Sequence, residues 1–141
     1  MAENASTINW DKSVDILVVG SGNGALTAAL CSHEMGVKDV LVIEKEDQFG
    51  GSSSISGGGV WIPCNRYALE AGTEDSIADA KSYLSSVIPT GTVPEDLIDV
   101  YLAEGPNMVD FLHDHTRVRY ESLAYYPDYY SDAPGARGGH R

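Results

Sequence analysis

The chain has 141 residues, and its 21 acidic against 9 basic side chains give a formal net charge of −12. That length supports one modest core, so a single domain is the expectation. The acidity argues against nucleic acid or an anionic membrane surface as partner.

Residues 1–13 form a polar N-terminal tail without the apolar stretch of a signal peptide. No later run approaches the ~18 apolar residues that a spanning helix needs. No integral membrane segment is therefore expected, and the cytoplasm is the default compartment. Val14-Asp15-Ile16-Leu17-Val18-Val19 is rich in β-branched residues and reads as a buried parallel strand. Gly20-Ser21-Gly22-Asn23-Gly24-Ala25 follows at once. A helix is expected from Asn23 to Met35, with Leu26, Ala29, Leu30 and Met35 on one stripe and Gly36 as its stop. Val40-Leu41-Val42-Ile43 is the second buried strand, which makes residues 14–43 one βαβ unit.

Each residue type in that unit has a physical role. Gly20 permits the tight turn out of the strand, and Gly22 lets backbone approach a pyrophosphate closely. Ala25 takes the third position of G-x-G-x-x-G/A, where a small residue lets helix and strand pack. The helix N-terminus offers unpaired N–H groups and a partial positive charge to an anion, which matters where basic residues are few. Glu44 stands 20 residues past Gly24, where a carboxylate accepts from ribose hydroxyls and repels a 2′-phosphate. NADP is thereby disfavoured.

Residues 50–59, Gly-Gly-Ser-Ser-Ser-Ile-Ser-Gly-Gly-Gly, could be a flexible linker. They are short, however, and flanked by Phe49 and Val60-Trp61-Ile62, residues of buried type. Read functionally, the stretch is a second loop of bare amides and small hydroxyls converging on a long cofactor. NAD does not require such a segment so soon after the ribose acid, and FAD does.

Further on, Thr73 is expected to cap a helix carrying Ile77, Ala80, Leu84 and Val87, with Glu74 and Asp75 in its first turn. Pro94 opens another helix, which Gly105-Pro106 should break or kink before Met108 to Leu112 resume the stripe. Arg117 to Leu123 reads as a short strand, and Tyr125 to Arg141 as a loop. Cys31 and Cys64 lack metal-ligand or C-x-x-C spacing and read as small buried apolar residues in a reducing compartment. His113 and His115, two apart, fall on different helix faces, so no metal site is expected. His33 and His140 stand alone, and Arg137 and Arg141 read as solvated loop residues able to touch a carboxylate or phosphate.

The fold class expected is α/β: a Rossmann-like FAD-binding domain opening with the βαβ unit, then a helical segment. Two strands are too few for a doubly wound sheet, so the chain reads as the N-terminal piece of a longer enzyme, with a small self-contained α/β module as the alternative. The expected divisions are 1–13, 14–65 for the FAD-binding unit with its glycine/serine loop, and 66–141 for the helices and tyrosine-rich loop. One crossover helix cannot cover both strands, so Val18, Val42 and Trp61 are expected to show exposed apolar faces.

Val18-Val19-Gly20-Ser21-Gly22, Val42-Ile43-Glu44-Lys45, Phe49-Gly50-Gly51-Ser52 and Ser56-Gly57-Gly58-Gly59-Val60-Trp61-Ile62-Pro63 closely resemble the flavoproteins of the fumarate reductase/succinate dehydrogenase superfamily. The run on to Cys64-Asn65, the helix start from Ala71 to Ala80 and the Tyr126-Pro127-Asp128-Tyr129-Tyr130 segment look like the 3-ketosteroid dehydrogenases within it. The resemblance implies FAD, held by Gly20, Ser21, Gly22, Gly24, Ala25, Glu44, Lys45, Gly50, Gly51, Ser52, Ser53, Ser56, Gly57, Gly58 and Gly59. It implies a small-molecule substrate, a steroid or similar cyclic ketone. A base removes an α-proton while hydride passes to the flavin, and Tyr129 matches the tyrosine that this region contributes. Against that role, Tyr120, Tyr125, Tyr126, Tyr129 and Tyr130 can equally cover apolar surface with their hydroxyls in water. A fumarate-reductase-like enzyme and a non-catalytic nucleotide-binding module stay open as alternatives.

Overall fold

In the computed structural model, which describes residues 9–141, the first apolar run narrows to a four-residue strand, β1 (Ile16–Val19). Most of the polar tail thus lies outside the described residues. Helix α1 (Asn23–Glu34) leads to β2 (Val40–Ile43), and the two strands pair in parallel with Ile16 opposite Val40 and Val18 opposite Val42. Helix α1 stops at Glu34 rather than Met35. Met35 is its C-cap and 82% exposed, because Gly36, at φ +103, turns the chain away and donates to His33 O at 3.0 Å.

The chain divides at Gly59/Val60 into two compact units. In the first, Val18 is buried and Val42 half-buried, contrary to the expected exposure. Strand alternation explains the difference: the faces left open are those of Leu17, Val19 and Ile43. The α1 stripe is shallow, with Leu26 exposed and no helix residue fully buried.

The second unit is helical: α2 (Arg66–Glu70), α3 (Ile77–Val87) and α4 (Glu95–His115). Helix α2 is absent from the expectation; Asn65 caps it by accepting from the Ala68 N–H at 3.1 Å. Helix α3 is capped by Ser76, which accepts from the Asp79 N–H at 3.0 Å, not by Thr73. Helix α4 runs unbroken through Gly105-Pro106. Gly105 serves packing there, since a Cβ would lie 3.1 Å from Ile62 Cγ2. Ala80, Ile98 and Leu102 form the core between α3 and α4, with Trp61, Leu84 and Ile88 packed against it. Trp61 is half-buried, between the rings of Tyr83 and Tyr101.

Arg117 to Leu123 forms no strand. Its backbone meets another loop instead: the His140 N–H donates to Leu123 O at 2.9 Å, and Gly139 passes so close to Ala124 O that a Cβ would stand at 2.2 Å. Among the described residues no helix is long and apolar enough to cross a membrane.

Candidate functional site

The first unit gathers most of the residues singled out by sequence. Gly20, at φ +98, reverses the chain after β1 and donates to Ile43 O at 2.7 Å, so the turn is tied to the end of β2. Glu44 sits at that end. The Ser21 hydroxyl donates to its Oε2, while the Lys45 and Glu46 amides donate to Oε1 at 2.8 and 3.2 Å. The Ser21 hydroxyl, then the Glu46 amide, hold the Glu44 carboxyl below its ordinary range.

The second glycine cluster lies against the first. Gly50, buried at φ +110, donates to Ser21 Oγ at 2.9 Å. Residues Gly51–Ile55 then form a 3₁₀ turn, from which Ser53 Oγ accepts the Asn23 N–H at 3.1 Å. A linker would have no such ties. The flanking residue expected to anchor the loop does not: Phe49 is 79% exposed, and hydrogen bonds from Ser21 and Ser53 replace the apolar contact. One amide of the α1 N-terminus is therefore satisfied internally. Gly22, as N-cap, brings no side chain to the amides that follow.

Lys45 is exposed and pairs with Glu46 at 3.4 Å. Ser52 and Gly51 are exposed, and Ser56 Oγ bridges Ser53 O at 3.0 Å and the Gly58 N–H at 3.1 Å. Gly57, Gly58 and Gly59 are exposed, with nothing within 4 Å of a Cβ placed on them.

Tyr129 belongs to the second unit, where it is 86% exposed in an open groove with Ser86, Val87, Tyr130 and Asp132. The Tyr126 hydroxyl is hydrogen-bonded to Tyr129, which raises the Tyr126 pKa above its ordinary value. The two rings are 6.5 Å apart.

Behind this loop lies a cluster that sequence reasoning missed. Arg137 and Arg141 are both paired, and Arg141 is buried rather than solvated. Arg141 Nη2 and Nε donate to Asp75 at 2.6 and 2.9 Å, and its Nη1 donates to Asp128 Oδ2 at 2.9 Å. The side chains of Arg141, Asp75 and Asp128 are each about 2% exposed or less. Trp61 Nε1 donates to Asp128 Oδ1 at 2.6 Å, and Arg137 donates to Asp79 at 2.8 Å. Burial works to raise the Asp75 pKa, but the Arg141 bonds and charge outweigh it and the carboxyl is held low. The one sequence signal for this cluster was the Ser76-x-x-Asp79 spacing, which fixes where α3 begins and so where Asp75 points.

His113 Nδ1 meets the Tyr67 hydroxyl at 2.7 Å and His140 Nδ1 the Ser122 hydroxyl at 2.8 Å, so neither stands alone. Among the described residues no group of three or more His, Cys, Asp or Glu could hold a metal. Cys31 and Cys64 are free and half-buried rather than enclosed, and burial pushes the Cys64 thiol up.

A parallel βαβ turn rich in glycine, closed on a carboxylate and backed by a second glycine loop, defines a dinucleotide-binding class of protein. The chain belongs to the FAD binding domain family, which it matches over residues 15–140. It is 42% identical over 127 residues to a 3-oxosteroid 1-dehydrogenase of Mycobacterium tuberculosis, covering 90% of this chain and 22% of that protein. It is equally 42% identical over 127 residues to a 4-oxocyclohexanecarboxylate 2-dehydrogenase of Sinomonas cyclohexanicum, with the same 90% and 22% coverage. Among solved structures it is similar to a 3-ketosteroid delta1-dehydrogenase from Sterolibacterium denitrificans in complex with 1,4-androstadiene-3,17-dione. That likeness has a TM-score of 0.83 and 42% identity, over 91% of this chain and 22% of the other. The chain thus spans about a fifth of the length of these relatives.

Proposed function

We propose that this chain is the cofactor-holding part of an FAD-dependent dehydrogenase that oxidises the carbon–carbon bond beside a ring ketone. The observation that carries the reading is the meeting of two glycine clusters, distant in sequence, around Ser21 and Glu44.

The residues present fit FAD. Gly22 has φ −69, and a Cβ there would make only ordinary contacts, the nearest being Ser53 Oγ at 3.7 Å. Neither backbone nor packing requires glycine at that position, so its bareness is left for a close ligand such as a pyrophosphate. Gly24 has nothing within 4 Å of a placed Cβ. The N–H groups of Gly24 and Ala25 and the α1 dipole supply positive potential beside that space. Glu44 takes the ribose hydroxyls, and Lys45, Gly51, Ser52, Ser56 and Gly57 to Gly59 complete the contacts.

When bound, FAD supplies the acceptor for a hydride leaving one ring carbon. Tyr129 takes the proton from the neighbouring carbon, acidified by the ketone. A phenol with its usual pKa near ~10 is a poor base unless its oxygen receives a hydrogen bond that favours the anion. Tyr126, whose ring centroid lies 6.5 Å from that of Tyr129, is the neighbouring hydroxyl able to supply one. The relatives named for 3-oxosteroids and for 4-oxocyclohexanecarboxylate share a six-membered ring bearing a ketone, so the substrate class is a steroid or smaller cyclic ketone.

The test is turnover by the full-length, flavin-loaded protein of a 3-ketosteroid and of 4-oxocyclohexanecarboxylate with an artificial electron acceptor. One of them should be oxidised, and Tyr129→Phe should lower kcat by about 10²–10⁴-fold at unchanged flavin content. Flavin-loaded protein that oxidises neither overturns the reading.

A further inference from the structure

The Ser21 side chain is buried, at 3% exposure for the residue, although it lies in the turn expected to face a cofactor. Its hydroxyl joins three separate stretches of chain. It donates to Glu44 Oε2 and accepts from the Gly50 N–H at 2.9 Å. A hydroxyl has one proton to give, and here it goes to the carboxylate. The Gly50 N–H reaches Ser21 only because residue 50 is glycine: φ is +110, and a Cβ would stand 2.7 Å from Ser54 Cβ.

We propose that Ser21 is a positioning residue, whose buried hydroxyl sets Glu44 and the second glycine loop in place for FAD before the cofactor arrives. It acts through Glu44 and Gly50 and makes no side-chain contact of its own with the cofactor. The inference rests on the FAD reading. Without the hydroxyl, Glu44 keeps backbone amides alone, those of its two successors and that of residue 21. The loop keeps only the Ser53–Asn23 bond as a tie to the turn. Both must then be ordered at the moment of binding, which costs affinity.

The experiment is a flavin titration of the full-length apoprotein, by fluorescence quenching, for wild type, Ser21→Ala, Glu44→Ala and the double variant. Ser21→Ala should raise the FAD Kd about tenfold, the loss of one charge-assisted bond and one tie. Because Ser21 acts through Glu44, the double variant should lose much less than the product of the two single effects. An unchanged Kd in Ser21→Ala, or strictly multiplicative losses, overturns the proposal. Amide exchange at Gly50 in the wild-type apoprotein decides the matter even if Ser21→Ala does not fold. Protection about tenfold or more above the open Gly57 and Gly59 amides supports the tie, and equal exchange overturns it. Wild-type protein that binds no flavin at all removes the FAD reading itself, an outcome distinct from the others.

Discussion

Val18 is the one apolar side chain buried among the described residues of the first unit, whereas the second unit buries nine, from Ile62 and Pro63 to Leu112. A fully buried Leu, Ile or Val contributes roughly 1.5–3 kcal/mol, so the second unit carries its own core and the first does not. The first is held instead by hydrogen bonds among Ser21, Glu44, Gly50, Ser53 and Asn23. That contrast teaches how the site is built. Residues that leave room for a ligand bury little surface, and the binding elements of a protein come from its less stable end. The second unit does the opposite and encloses an arginine with two aspartates beneath the loop that bears Tyr129.

The contrast can be broken from either side. The largest effect is expected of Gly22→Val in the full-length protein. Its backbone accepts the substitution, but the branched side chain would fill the space proposed for the pyrophosphate. Flavin should be lost on desalting while the circular dichroism spectrum is unchanged; full flavin retention would contradict the site.

Asp75→Asn attacks the second unit. The new amide turns donors toward Arg141, and breaking a buried pair of this kind costs about 3 kcal/mol. Denaturant unfolding should show that loss, with flavin affinity unaltered. A flavin affinity that falls in step with stability would mean that the two units do not separate as described.

Acid sharpens the comparison. The folded Glu44 pKa is depressed below its ordinary 4.5. Its contribution is complete above that pH and disappears as pH falls through the depressed value. Flavin should therefore be released in a step below pH 4.5, and Glu44→Gln should abolish the step. Asp75 is depressed below 3.8, so the second unit's ion cluster should persist until pH falls below that value. The smallest effect is expected of Tyr126→Phe, a decrease in kcat of about fivefold, the worth of one hydrogen bond. No change would remove Tyr126 from the account.

The βαβ unit and the glycine–carboxylate spacing were legible because they rest on local signals, strand runs and turn glycines at fixed offsets. Helix α4 was legible except at Gly105-Pro106, where the dipeptide reads as punctuation but the glycine answers to Ile62, 43 positions away. Thr73 and Ser76 are both capping residues, and only Ser76 has an acidic residue three positions on. Arg141 was illegible. Nothing in a glycine-rich loop shows which distant carboxylates it will meet, and Asp75 and Asp128 are ordinary acids until the fold brings them together. Ser21 was legible as a turn residue, but its side chain is buried and bonds Glu44 and Gly50, an arrangement set by the second loop folding back onto the first.

The central claim is that the two glycine clusters and Glu44 form one FAD site. The absorbance spectrum of the full-length protein after desalting tests it most directly. A yellow protein with a flavin spectrum near one equivalent per chain is the result expected. A colourless protein that takes up NADH in titration, and no flavin, would contradict it.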